Sequence, residues 1–302
     1  MKETLLLTLF LAFCSVAKAQ TLDSIKYEHG FLYFHTYGKG EPVIILSGGP
    51  GNRCQQEEEV AIELSKKYKS ILFEQRGTGL SIPTTFDSTT INLKCAIEDL
   101  NLLLKHLGLK RAIFYGHSWG ATLAMSFATK YPQKIKKLIL TGPGRIKSDE
   151  EFNNVFQYNR KVMLGVNDLE RLEFLANKQE TQDLNDTETA EQFRIIYTSY
   201  IYDKRNYDYL YEKIRTGRRN VKMNELMSND LVKNLDLAEA LKKYKKKVFI
   251  ITGQQDPLAF NTYRLQLLMP NVEVDWIQQC GHFPMFEQPK EFYKFLFKRL
   301  EQ

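Results

Sequence analysis

Three short stretches hold residues that could do chemistry together: GHSWG at 116–120, ITGQQDP at 251–257 and QCGHFP at 279–284. A serine hydroxyl becomes a nucleophile at neutral pH only if a base takes its proton. A histidine base in turn needs a carboxylate to hold its tautomer and steady its cation. Ser118, Asp256 and His282 supply those three types in that chain order. Singly, a serine between glycines, a pre-proline aspartate and a loop histidine are ordinary turn residues. Jointly, each directly after an apolar strand-like run, they predict acyl transfer, with Ser118 as nucleophile, His282 as base and Asp256 orienting the imidazole. Gly116, Gly120 and Ala121 provide the small neighbours that a sharp strand-to-helix turn requires. The oxyanion that forms needs fixed donors, each contributing about 3 kcal/mol to the barrier. The backbone N–H of Trp119 is one candidate, and that of Gly49, in SGGPG at 47–51, is the other.

Other chemistries find less support. No set of Cys, His, Asp or Glu has the spacing of a metal site, and neither glycine loop matches a phosphate-binding or dinucleotide pattern, so no metal and no cofactor are expected. The net charge is +6, or +5 once Lys2, Glu3 and Lys18 are removed, with the positive residues dispersed. The one basic run, KKYKKK at 242–247, precedes an apolar strand and reads as a solvated linker, so no nucleic-acid partner is expected. Residues 1–19 pair Lys2 with an apolar segment from Leu5 to Ala17 and an Ala-Lys-Ala site, the pattern of an export signal. That segment falls short of the roughly 20 residues of a membrane-spanning helix, so a periplasmic or extracellular protein without a stable anchor is expected. Cys54, Cys95 and Cys280 then remain, with no paired spacing, although one bridge stays open in an oxidising compartment.

The elements that must position these residues alternate between β-type and helical patterns. SIKYEHG and FLYFHTYG flank His29-Gly30 as an opening hairpin; PVIIL, SILF, RAIFY, KKLIL, KVFII and VEVDWI read as buried strands. EEEVAIELSKKY, residues 92–107, ATLAMSFATKY, residues 262–268 and a closing segment with Phe292, Phe295, Leu296 and Leu300 on one face read as helices. The class is α/β: a mostly parallel twisted sheet with helices on both faces. Residues 20–144 and 245–302 form the expected core. From 145 to 244 the alternation stops and the chain turns polar, tyrosine-rich and helical, which predicts an inserted cap. Some of Tyr197, Tyr200, Tyr202, Tyr207, Tyr209 and Tyr211 are expected to line the site beneath it.

GGPG at 48–51, EQRGTGLS at 74–81, GHSWGATLA at 116–124, GQQDP at 253–257 and GHFPMFEQP at 281–289 together resemble the α/β-hydrolase superfamily and, within it, the proline iminopeptidase family of serine peptidases. That resemblance implies an α/β-hydrolase fold, a triad of Ser118, Asp256 and His282, oxyanion donors at Gly49 and Trp119, and release of N-terminal proline or small residues from peptides. The family usually has histidine at Ser47, aspartate at Glu74 and glycine at His117. It also carries cap glutamates that bind the substrate amine, one in a W-x-x-W-E-like segment that this chain lacks. YTSYIYDKR at 197–205 is the nearest stretch, with Asp203 either a substitute acid or a solvated surface residue. An esterase or other small-molecule hydrolase with the same triad is the alternative. Relatives that attack through aspartate, as in dehalogenase or epoxide hydrolase chemistry, are disfavoured by the serine at 118.

Overall fold

The computed structural model describes residues 20–215 and 219–302, so the export signal expected over 1–19 lies outside the described residues. Eight strands form one sheet: β1 (Thr21–Tyr27), β2 (Gly30–Tyr37), β3 (Pro42–Leu46), β4 (Lys69–Phe73), β5 (Ala112–His117), β6 (Ile135–Thr141), β7 (Val248–Gly253) and β8 (Val272–Ile277). Their order is β1-β2-β4-β3-β5-β6-β7-β8. The opening hairpin and the β2–β4 pair are antiparallel, and every pair from β4 to β8 is parallel.

Helices cover both faces because strand side chains alternate. In β3, Ile44 and Leu46 join one apolar cluster while Val43 and Ile45 join the other, and all four are fully buried. The first cluster is covered by α2 (Leu93–His106) and α3 (Trp119–Lys130); the second by α1 (Glu58–Leu64) and the closing helix, which is α12 once the helices between are numbered (Pro289–Glu301). Phe292, Leu296 and Leu300 of α12 are buried as their spacing predicts. Asn92 starts α2 by accepting the N–H of Cys95 at 2.8 Å.

Between β6 and β7 the chain is helical: α4 (Glu150–Val162), α5 (Val166–Gln179), α6 (Asp186–Thr198), α7 (Tyr207–Arg215), α8 (Val221–Asn234) and α9 (Ala238–Lys243). The first three are largely exposed. The last two differ. Met223, Met227 and Leu231 of α8 and Leu241 of α9 are buried in the first sheet cluster, so the end of this segment packs as core. Its polar sequence conceals this, because only one stripe of each helix faces inward. After β7 come α10 (Ala259–Leu268) and, after β8, the short α11 (Pro284–Glu287). Cys54, Cys95 and Cys280 are free thiols. Among the described residues no helix is long and apolar enough to cross a membrane.

Candidate active site

Ser118 sits where β5 turns into α3, with φ 54° and ψ −117°, one of two non-glycine residues at positive φ among those described. The turn is locked on both sides. The Ser118 N–H donates to the Thr141 carbonyl at 2.9 Å, and its own carbonyl accepts from Ala121, Thr122 and Gly144 at 3.0 to 3.2 Å. A Cβ on Gly116 would stand 2.4 Å from the Gly120 carbonyl oxygen, and one on Gly120 would stand 2.2 Å from that of Leu46. Only glycine allows the helix to approach the sheet this closely.

The histidine and the aspartate arrive from the two neighbouring strand ends. His282 Nδ1 lies 2.9 Å from Asp256 Oδ2, and Asp256 Oδ1 accepts the Leu258 N–H at 2.8 Å. A carboxylate facing Nδ1 places the proton there and leaves the Nε2 lone pair free, which is the tautomer a general base needs. His282 and Asp256 are both buried, and His282 shares with Ser118 the lining of one cavity. Gly142, at the end of β6, was not singled out by sequence. A Cβ there would lie 2.9 Å from both Asp256 Oδ2 and His282 Nδ1, so its missing side chain makes room for the pair.

The two amides expected to hold an oxyanion are both at the cavity. Gly49 has φ 122° in a loop with a cis Gly49–Pro50 bond, and Trp119 is the first residue of α3. Among the described residues no acceptor takes either N–H. At Trp119 this follows from position, since the first N–H groups of a helix have no partner within it. Gln75 ties the two together, donating to the Ser47 carbonyl at 2.9 Å and accepting from the Trp119 indole at 2.7 Å. Neighbouring Arg76 forms a buried ion pair with Asp99 and lies 4.5 Å over the Tyr27 ring, anchoring the same loop.

A second buried histidine stands behind His282. His117 Nδ1 is 2.9 Å from Glu57 Oε1, its Nε2 is 3.0 Å from the His282 carbonyl oxygen, and the two imidazole rings are 4.9 Å apart. Burial pushes the His117 pKa down, but the charge and hydrogen bond of Glu57 outweigh it and raise it above the ordinary value. Both ring nitrogens face acceptors, which suits the imidazolium. Glu287, half-buried, collects three backbone N–H groups: Tyr202 at 2.8 Å, Gly281 at 3.0 Å and Phe283 at 3.0 Å. It brackets the histidine loop and ties it to the cap, whose Tyr200 carbonyl also accepts the His282 N–H at 2.8 Å. Burial raises the Glu287 pKa despite the three donors. Sequence reading passed over His117 as a departure and Glu287 as a motif letter, because neither role exists without partners more than fifty residues away or across a loop.

Of the six cap tyrosines, Tyr197 and Tyr200 line the cavity. Tyr207 stacks on Tyr211 away from it at 5.5 Å, and Tyr202 and Tyr209 line a separate surface depression. Asp203 belongs to that depression too. It caps a turn through the Arg205 N–H at 3.1 Å and pairs with the Arg205 guanidinium at 2.8 Å, so the structure does not bring it to Ser118. His35, Cys54 and Glu74, buried together, offer donor atoms within 4.8 Å of one another. There the imidazole lies 3.0 Å from Glu74, and burial holds the Cys54 thiol well above its ordinary range, so the group reads as a hydrogen-bonded pair beside a neutral thiol.

A serine on a strained strand-to-helix turn, sharing a cavity with a histidine–aspartate pair at the carboxyl ends of parallel strands, is the arrangement that defines serine hydrolases of the α/β type. The chain belongs to the alpha/beta hydrolase fold family, whose model matches residues 41–289. It is similar to a proline iminopeptidase of Xylella fastidiosa (strain 9a5c), 37% identical over 128 residues, spanning 38% of this chain and 40% of that protein. A proline iminopeptidase of Heyndrickxia coagulans is 25% identical over 270 residues, spanning 87% of this chain and 91% of its own length. Among solved structures, an alpha/beta fold family hydrolase from Bacillus anthracis str. Sterne superposes with a TM-score of 0.73 at 18% identity, covering 93% of this chain and 99% of that one. The first of these matches covers less than half of the relative.

Proposed function

We propose that the chain hydrolyses small acyl substrates through an acyl-enzyme on Ser118. The observation that carries the reading is the His282 Nδ1 to Asp256 Oδ2 contact of 2.9 Å in the cavity that holds Ser118. In this mechanism His282 Nε2 takes the hydroxyl proton as oxygen attacks the carbonyl carbon. Asp256 stabilises the imidazolium, and the Gly49 and Trp119 N–H groups receive the oxyanion. The imidazolium protonates the leaving group, and a water deprotonated by His282 then frees the acid and restores Ser118.

Two substrate readings follow. Release of N-terminal proline or small residues is supported by the shared loop motifs and by relatives that bear the name proline iminopeptidase. Hydrolysis of small-molecule esters or amides is supported by the cavity lining, which among the described residues includes no Asp or Glu to hold a substrate ammonium. The geometry favours the second. A panel of proline 4-nitroanilide and short 4-nitrophenyl esters, with Ser118→Ala as control, tests both. Loss of a fluorophosphonate label and of turnover in Ser118→Ala is expected; retained turnover would remove Ser118 from the mechanism.

A further inference from the structure

The cavity around Ser118 extends in two lobes that share Gly49, Ser118, Tyr200 and Arg219, and the second lobe adds Arg145 beside Trp119 and Gly144. Two guanidinium groups thus line the space at the nucleophile, and among the described residues no carboxylate does. Arg145 donates to the Ser148 hydroxyl at 3.2 Å and lies 4.8 Å over the Phe152 ring, and no carboxylate among the described residues pairs with it or with Arg219. Asp256 and Glu57 are engaged by His282 and His117.

A half-buried guanidinium with only a hydroxyl and a ring for company is poorly compensated, and burial pushes the Arg145 pKa down accordingly. Its backbone is nonetheless held firmly, since the Thr122 hydroxyl donates to the Arg145 carbonyl at 2.9 Å. A planar fork of N–H donors beside Phe152, Phe156 and Leu258, in a lobe whose other polar side chains include the neutral Thr122, Asn224 and Ser228, suits one kind of ligand group. We propose that Arg145 and Arg219 bind a free carboxylate on the substrate, so that the preferred substrates are esters or amides carrying an acidic group rather than an ammonium near the bond that is cleaved. The proposal rests on the serine-hydrolase reading above and sets the substrate class for the same site.

The test compares 4-nitrophenyl hemiadipate with 4-nitrophenyl hexanoate, matched in chain length, after subtraction of the uncatalysed rates. The expected kcat/KM ratio in the wild type favours the hemiester by at least about tenfold, equivalent to about 1.4 kcal/mol. In Arg145→Gln/Arg219→Gln that ratio should fall toward one, and Arg145→Lys should keep part of it. A wild-type ratio at or below one, or a ratio that survives the double substitution, overturns the proposal while leaving the hydrolase reading intact. A second arm needs no turnover: calorimetry of adipate binding to Ser118→Ala, with and without the two arginine substitutions. Binding weakened at least tenfold by their loss supports the carboxylate site; equal binding, or none to either protein, refutes it. Absence of turnover and of fluorophosphonate labelling in the wild type would defeat the hydrolase reading instead.

Discussion

Replacing Glu287 by glutamine removes one charge and almost no volume, yet should loosen the loop that presents His282. The carboxylate accepts two N–H groups on Oε2, from Tyr202 and Gly281, and one on Oε1, from Phe283. A glutamine has a single acceptor oxygen. Its best orientation keeps the pair from Tyr202 and Gly281 and turns its NH2 toward the Phe283 N–H, donor against donor. An unsatisfied buried N–H costs about 1–3 kcal/mol, and the two bonds that survive lose about 1 kcal/mol each when their acceptor loses its charge. Against this, the variant no longer buries a carboxylate whose ionised form is already disfavoured, which offsets part of that loss. The net loss is about 2 kcal/mol, which for a chain of this size lowers Tm by about 3 °C. Urea unfolding measures the stability, amide exchange at Gly281, His282 and Phe283 reports the loop, and kcat reports the placement of the imidazole. A stability change under about 0.5 kcal/mol with exchange and kcat unaltered would show that Glu287 does not hold the histidine loop.

Gly142→Ala should leave the sheet folded but lower kcat by about a hundredfold, because the new methyl forces His282 and Asp256 apart; circular dichroism beside steady-state kinetics checks it, and wild-type kcat would contradict the contact distances. The His117–Glu57 pair gives a pH signature. With the folded pKa of His117 raised above its ordinary 6.5, the stabilisation is complete below about pH 6.5 and is lost as pH climbs through the folded value. The stability advantage of wild type over His117→Gln, read from urea midpoints, should therefore shrink from pH 6 to pH 9; an advantage that grows would reverse the sign argued here. Phe292→Ala, emptying a fully buried ring site against Tyr115, should cost about 3–5 kcal/mol by the same measurement, with no change in kcat while the protein stays folded. If the export signal is cleaved as its sequence indicates, the N-terminus of protein recovered from the native host should read Gln20-Thr21-Leu22, and an intact Met1 would remove that reading.

Local chemistry accounts for what could be read before folding. Glycines at 116 and 120, a serine between them and apolar runs just ahead of Ser118, Asp256 and His282 are signals within a few residues of each position, so strand ends, turn and chain order were all legible. The helix read over 92–107 forms as 93–106. Segment 145–244 was readable as helical but not as to destination: nothing near Met223 or Leu231 says that α8 turns inward while α5 stays exposed.

By itself, then, the amino-acid order determined the α/β alternation, the hairpin, the tight turn at Ser118 and the three residue types a serine mechanism requires. Tertiary packing alone decided which side chains meet. It set His117 and Glu287 between the His282 loop and distant elements, cleared space at Gly142 and brought Arg145 and Arg219 to the nucleophile. The reason is range. Backbone preference and periodicity act over a few residues, whereas each of these encounters depends on how strands far apart in sequence line up in one sheet and where the helices between them come to rest.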